Sequence, residues 1–174
     1  MEKHLYVIYV PGGNTALALE LIRRTVLSEE EKAFTPRVER EYRRGGETST
    51  ETRELFPGYV FIETAEPDSF SERLFMTGGG RTRPLWLIRN DHSAVRLFPE
   101  EEDYIRSLVN ADYLVEKSYG YKEGDTITIT RGPLKDLQGS LIRVNRHHRT
   151  ATIRVKFLGD YRELTLGLEV ATKK

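Results

Sequence analysis

Between Gly124 and Phe157 the chain reads GDTITITRGPLKDLQGSLIRVNRHHRTATIRVKF. Thr126 to Arg131 alternates Thr with Ile, and Gly139 to Val144 and Thr150 to Phe157 are rich in β-branched side chains. Those residues suit a pleated, half-buried surface, and Gly, Pro or Asn closes each run with a turn. No stripe of helical period runs through the stretch. Short strands so closely spaced predict a small β-barrel, and this constrains the rest of the chain more than any other feature.

Charge divides the chain at the same place. The formal net charge is zero, from 27 Lys and Arg against 27 Asp and Glu. Ten of those cations and five of those anions lie at or beyond Gly124, so this part carries +5 and the part before it −5. A basic module of this size suits a polyphosphate partner, because releasing condensed counterions drives such binding. The chain has no cysteine, which excludes disulfides, thiolate metal sites and cysteine nucleophiles. No apolar run approaches the roughly 20 residues of a membrane span, and MEKHLYVIYV has neither the cationic start nor the cleavage site of a signal peptide. A cytoplasmic protein without membrane contact is expected.

In chain order, Leu5 to Val10 is a continuous apolar run, as in a strand buried on both faces. Gly12 and Gly13 turn the chain, and Asn14 or Thr15 caps a helix running to about Leu27. Its inner face is expected to be Leu17, Ala18, Leu21, Ile22 and Val26. Ala33 to Tyr42 reads as a second strand, followed by an exposed tip at Arg43 to Glu47 and a polar, Thr-rich return. Leu55 to Glu63 is a third strand bent by Pro57-Gly58. Ser69-Phe70-Ser71-Glu72 has capping-box spacing for a short helix ended by Gly78 to Gly80. Leu85 to Ile88 reads as a fourth strand, and Pro99 with Glu100 to Asp103 opens a third helix with Tyr104, Ile105 and Leu108 inward. This order is the split βαβ pattern with helices on one face of the sheet. Tyr59 and Phe61 alternate with Val60 and Ile62, so the uncovered face is expected to show aromatics, which usually mark a binding surface.

Phe56-Pro57-Gly58-Tyr59-Val60-Phe61, with Gly124-Asp125, Gly132-Pro133-Leu134-Lys135 and Gly139, resembles the NusG family of transcription elongation factors. The resemblance covers almost the whole chain. It implies an α+β N-terminal NusG domain over residues 1–110, ferredoxin-like with an antiparallel sheet and helices, a linker over 111–122, and a small all-β SH3-like KOW barrel over 123–174. It also implies a monomeric, non-enzymatic factor without a cofactor, bound to bacterial RNA polymerase. The positions matching the family's grip on the clamp helices of the largest polymerase subunit are Pro57, Tyr59 and Phe61, with Phe75 and Trp86 completing the depression. As strand aromatics they also read as ordinary core. Arg43 and Arg44 match the tip that lies near non-template DNA, and a merely solvated turn reads equally well there.

Within the family, Tyr119 to Asp125 and Asn145 to Ala151 look most like the LoaP-type antitermination paralogues. Those imply recognition of an RNA hairpin in a nascent leader transcript by the KOW domain, and so read-through of terminators. Strand alternation about a turn at Asn145 to Thr150 sets Arg143, Asn145, Arg146, His147, His148, Arg149, Arg154 and Lys156 on one edge, with Lys135 in the neighbouring loop, as the RNA site; alternating charge on a solvated strand is the other reading. Leu134, Leu137 and Leu158 match the apolar loop surface with which general NusG proteins reach Rho or a ribosomal protein, so that role stays open, as does a ribosome-associated RNA-binding module. His147 and His148 make a poor metal site, because neighbours in a strand point apart and no carboxylate cluster stands beside them. Gly78 to Gly80 lacks the Lys and Ser/Thr of a phosphate loop, and no nucleophile elbow, zinc motif or dinucleotide fingerprint occurs.

Overall fold

A computed structural model describes residues 1–78 and 94–172. Leu85 to Ile88, Trp86 among them, lies outside the described residues. The protein is mixed α/β, with several antiparallel sheets and few helices. It divides into two compact units, Met1–Thr35 with Phe56–Glu102 and Pro36–Leu55 with Asp103–Lys174.

The chain opens with β1 (His4–Tyr9), α1 (Thr15–Thr25) and β2 (Lys32–Phe34). The expected strand over Ala33 to Tyr42 is in fact two, because Pro36 interrupts it and the chain then enters β3 (Arg37–Arg44) in the other unit. A proline has no N–H to give a ladder. β4 (Glu47–Glu54) returns antiparallel to β3 through the tip at Gly45 and Gly46, with Arg37 opposite Glu54 and Arg44 opposite Glu47. β5 (Tyr59–Thr64), α2 (Pro67–Gly78) and β6 (Val95–Arg96) belong to the first unit.

The first unit's sheet runs β2-β5-β1-β6, with every neighbouring pair antiparallel. Tyr6, Ile8, Val10, Ala33, Val60 and Ile62 pack beneath Ala18 and Ile22 from α1, Val26 just past its end, and Phe70 and Leu74 from α2. The α1 stripe is narrower than expected, since Leu17 is 45% exposed and Leu21 half-buried. α2 starts at Pro67 rather than at Ser69. The Thr64 hydroxyl accepts from the Glu66 amide and Glu66 takes the first helical bond from Phe70, while Ser69 instead accepts from Arg73 within the helix. Proline suits the first helical position, where its missing N–H has no partner to lose.

The opposite sheet face is not an open aromatic surface. Leu5, Val7, Phe34, Phe56 and Phe61 are all at most 3% exposed. The Phe-Pro-Gly bend is the reason. Tyr59 donates to the Phe56 carbonyl at 3.2 Å and Gly58 takes a φ of +86°, which returns the Phe56 ring over Phe61. Phe34 and Phe56 each lie 5.5 Å from Phe61 between ring centroids. Each such ring contributes about 1.5–3 kcal/mol by burial.

In the second unit, α3 (Pro99–Leu108), whose first turn still belongs to the first unit, leads to β7 (Leu114–Val115), which pairs parallel with β3. Ile105 and Leu108 are buried as expected, and half-buried Tyr104 donates its hydroxyl to the Lys156 carbonyl. β8 (Ser118–Glu123), β9 (Thr126–Arg131), β10 (Leu141–Asn145), β11 (Thr150–Phe157) and β12 (Asp160–Thr172) form a sheet ordered β10-β11-β12-β8-β9. Residues 111–122, read as a linker, thus contain β7 and most of β8. Gly139 and Ser140 end a 3-10 turn over Lys135–Ser140 rather than starting a strand. Leu134 anchors that turn, fully buried, with its amide on the Ser118 hydroxyl. Gly132 makes this approach possible: its φ is +97°, and a Cβ there would meet Ser118 at 2.6 Å.

Candidate nucleic-acid interface

The basic edge is built on the turn between β10 and β11. Asn145 Oδ1 accepts the His148 amide at 3.0 Å, Arg149 donates its amide to the Arg146 carbonyl, and the Arg149 carbonyl accepts from Leu168 of β12. Short Asx bonds of this kind close a turn without a second strand residue. Arg149 therefore adopts a left-handed φ of +51°, and Arg146, His147 and His148 are left exposed. The two imidazoles sit edge to face with centroids 5.0 Å apart. They belong to a turn, so the strand argument for their pointing apart does not apply.

Strand register gathers the other cations. Arg143 pairs with Thr152, two residues before Arg154 and four before Lys156, so all three share one face. Val144 pairs with Ala151, on the buried face of Ile153, Val155 and Phe157. Arg146 donates to the Thr172 hydroxyl, Arg154 pairs with Glu163 at 3.2 Å, and the Lys156 ammonium lies 5.9 Å from the Tyr161 ring centroid. Lys135 is exposed at the start of the 3-10 turn.

Arg149 departs from the expected open edge. Its guanidinium donates to Glu41 of β3 at 2.7 Å, and the other Glu41 oxygen accepts from Lys117, which also reaches Glu169 at 2.8 Å. The Glu41 and Lys117 side chains are each 15% exposed. Hydrogen bonds from Lys117 and Arg149 hold the Glu41 carboxyl below its ordinary value despite burial. Burial pulls the Lys117 ammonium down, but Glu169 and Glu41 more than reverse this and raise it. Arg40, one residue along β3, donates to the Thr165 carbonyl of β12 at 3.1 Å. The hairpin of β3 and β4 is thus tied to the same sheet that carries the basic turn. Glu41, Tyr42 and Thr48 from the hairpin and His147, His148 and Arg149 from the turn line a cleft of about 290 Å³.

Of the positions expected to grip a polymerase, Pro57 is exposed, Tyr59 is half-buried, Phe75 is 65% exposed beside Met76, and Phe61 is fully buried. The expectation of an accessible Phe61 is corrected by the aromatic packing described above. Trp86 lies outside the described residues. Tyr9, passed over in the sequence, pairs with Tyr59 across the ladder with ring centroids 5.3 Å apart and is 47% exposed. Its position at the end of the Leu5 to Val10 run was the available signal. At the hairpin tip, Arg43 and Arg44 are the last residues of β3, and Arg44 is exposed. Leu137 and Leu158 are half-buried, whereas Leu134 is 0% exposed and so is core rather than partner surface.

No family model matches the chain. The chain is 25% identical over 144 residues to the transcription termination/antitermination protein NusG of Thermus thermophilus, a match covering 76% of this chain and 74% of that protein. This is a distant homology, and it supports kinship with the NusG family.

Proposed function

We propose that the protein is a non-enzymatic transcription elongation and antitermination factor of the NusG kind, which binds RNA polymerase through its first unit and RNA through its second. The likeness to a NusG protein over three quarters of the chain carries the reading. Two exposed surfaces of different chemistry support it. One is a partly open aromatic edge, with Tyr9 47% exposed and Tyr59 half-buried near exposed Pro57, and would meet an apolar helical partner such as the polymerase clamp helices. The other is cationic, with Arg143, Arg146, Arg154 and Lys156 on or beside one strand face, and would meet phosphates.

The finer reading is a LoaP-type role, in which the basic turn recognises an RNA hairpin in a leader transcript and promotes read-through in particular operons. The residues Asn145 to Ala151 support it. A general NusG role, reaching Rho or a ribosomal protein through Leu137 and Leu158, is the competing reading, because those side chains keep part of their surface in solvent. Co-purification of the full chain with RNA polymerase, followed by mobility shifts with leader transcripts from adjacent genes, tests both levels. Association with polymerase, its loss in Tyr9→Ala/Tyr59→Ala, and a shift with one leader support the proposal. No association with polymerase defeats it, and association without any leader shift leaves the general role standing in place of the specialised one.

A further inference from the structure

The cleft between the hairpin of β3 and β4 and the turn joining β10 to β11 is lined by Tyr42, Thr48, His147, His148 and Arg149 beside Glu41, and its volume is about 290 Å³. That is the size of a small-ligand site. Tyr42 is 45% exposed, and the His147 and His148 rings beside it stand edge to face. Aromatic faces next to a guanidinium are what an unstacked nucleotide uses: the base lies on a ring and its phosphate meets the cation. A base held within a duplex cannot reach such a cleft.

Glu41 occupies the Arg149 guanidinium while no ligand is bound. Its carboxylate takes the Arg149 guanidinium at 2.7 Å, the place a phosphate oxygen would occupy. Lys117 is held by Glu41 and by Glu169 together. If Arg149 turns to a phosphate, Glu41 therefore keeps a cationic partner and no charge is stranded. A bound metal ion would fit poorly, since both Glu41 oxygens are committed to cations.

We propose that this cleft binds one unpaired nucleotide of an RNA, its base stacked on Tyr42 and its phosphate on Arg149, with Glu41 holding that phosphate's place in the free protein. The proposal rests on the RNA-binding reading above and deepens it. It also gives the hairpin a part in RNA recognition, through Tyr42 and Thr48.

The test uses the full chain, a stem-loop RNA with an unpaired uridine-rich loop, and a blunt duplex of the same stem, titrated at low salt. The stem-loop should bind more tightly than the duplex. Tyr42→Leu should lower stem-loop affinity about 5- to 150-fold, the loss of one stacked base, and leave duplex affinity unchanged. Tyr42→Phe should stay within about twofold, because the ring remains. Glu41→Gln should tighten stem-loop binding about two- to fivefold, as removal of a weak competing ion pair would. Tyr42 is exposed, so its variants report on binding even if Glu41→Gln loosens the hairpin. If the parent binds the stem-loop and Tyr42→Leu binds it equally well, the cleft proposal is overturned while RNA binding by the cationic edge stands. If the parent binds neither RNA, the RNA reading falls and takes the cleft with it.

Discussion

Phe61 and Tyr59 stand two residues apart on one strand face, yet only one is available to a partner. Phe61 is fully buried between Phe34 and Phe56, whereas Tyr59 meets Tyr9 at a partly open edge. Phe61→Ala should therefore cost about 3–5 kcal/mol in urea unfolding, while Tyr59→Ala costs much less and acts on polymerase association instead. Glu31 makes a different kind of prediction. Burial raises its carboxyl, but the Ser28 amide, the Thr64 hydroxyl and Arg73 outweigh this and hold it below the ordinary value. A carboxyl lowered in the folded state adds stability that is complete above its unfolded value of about 4.3 and is lost as pH falls through the lower folded value. The urea midpoint should thus fall as the pH is lowered below about 4.3. Glu31→Gln should be less stable at neutral pH and show a shallower acid slope; an unchanged slope would remove Glu31 from the acid response.

At the scale of elements, alternation and turn chemistry locate strands well, but they do not say which sheet a strand joins. The Thr-Ile repeat became β9, and Thr150 to Phe157 became β11 without change of bounds. Ala33 to Tyr42, by contrast, carries one continuous pattern across Pro36 and belongs to two sheets. The α1 stripe was half legible: Ala18, Ile22 and Val26 bury, and Leu17 does not. Periodicity gives a face but not its width, which depends on how much of the helix its sheet covers. The hairpin of β3 and β4 is polar along nearly its whole length, so its attachment depends on ions rather than on apolar area. Lys117→Met should destabilise the second unit by about 1–2 kcal/mol, because it leaves the largely buried Glu41 with a single cation. Arg154→Ala, which breaks an exposed pair, should cost no more than about 1 kcal/mol. Equal losses in thermal unfolding would show that Glu41 does not tie the hairpin down.

For the whole molecule, a formal charge of zero hides a basic part and an acidic part of the chain. If the basic part meets RNA phosphates, affinity should fall steeply with salt. Arg143→Ala/Arg146→Ala/Lys156→Ala should reduce the slope of log affinity against log salt by about 2, the share of three contacts on a single strand. Arg149 is left out of that set because changing it would also break its bond to Glu41. A slope unchanged by the triple variant would place the phosphate contacts elsewhere. Among the described residues, no helix is long and apolar enough to cross a membrane.

The amino-acid sequence by itself determined where most strands and helices lie, that a basic strand-rich segment follows a mixed α/β one, and which motifs resemble those of NusG proteins. Those are local or linear properties: residue type, spacing and charge act on near neighbours. Tertiary structure alone decided that residues 36–55 join the second unit, that Phe61 and Leu134 are core, and that Glu41 neutralises Arg149. For Glu41 and Arg149 the partner lies 108 residues away along the chain. Nothing local in either segment marks that pairing, because it is created only when the hairpin and the turn between β10 and β11 are brought together.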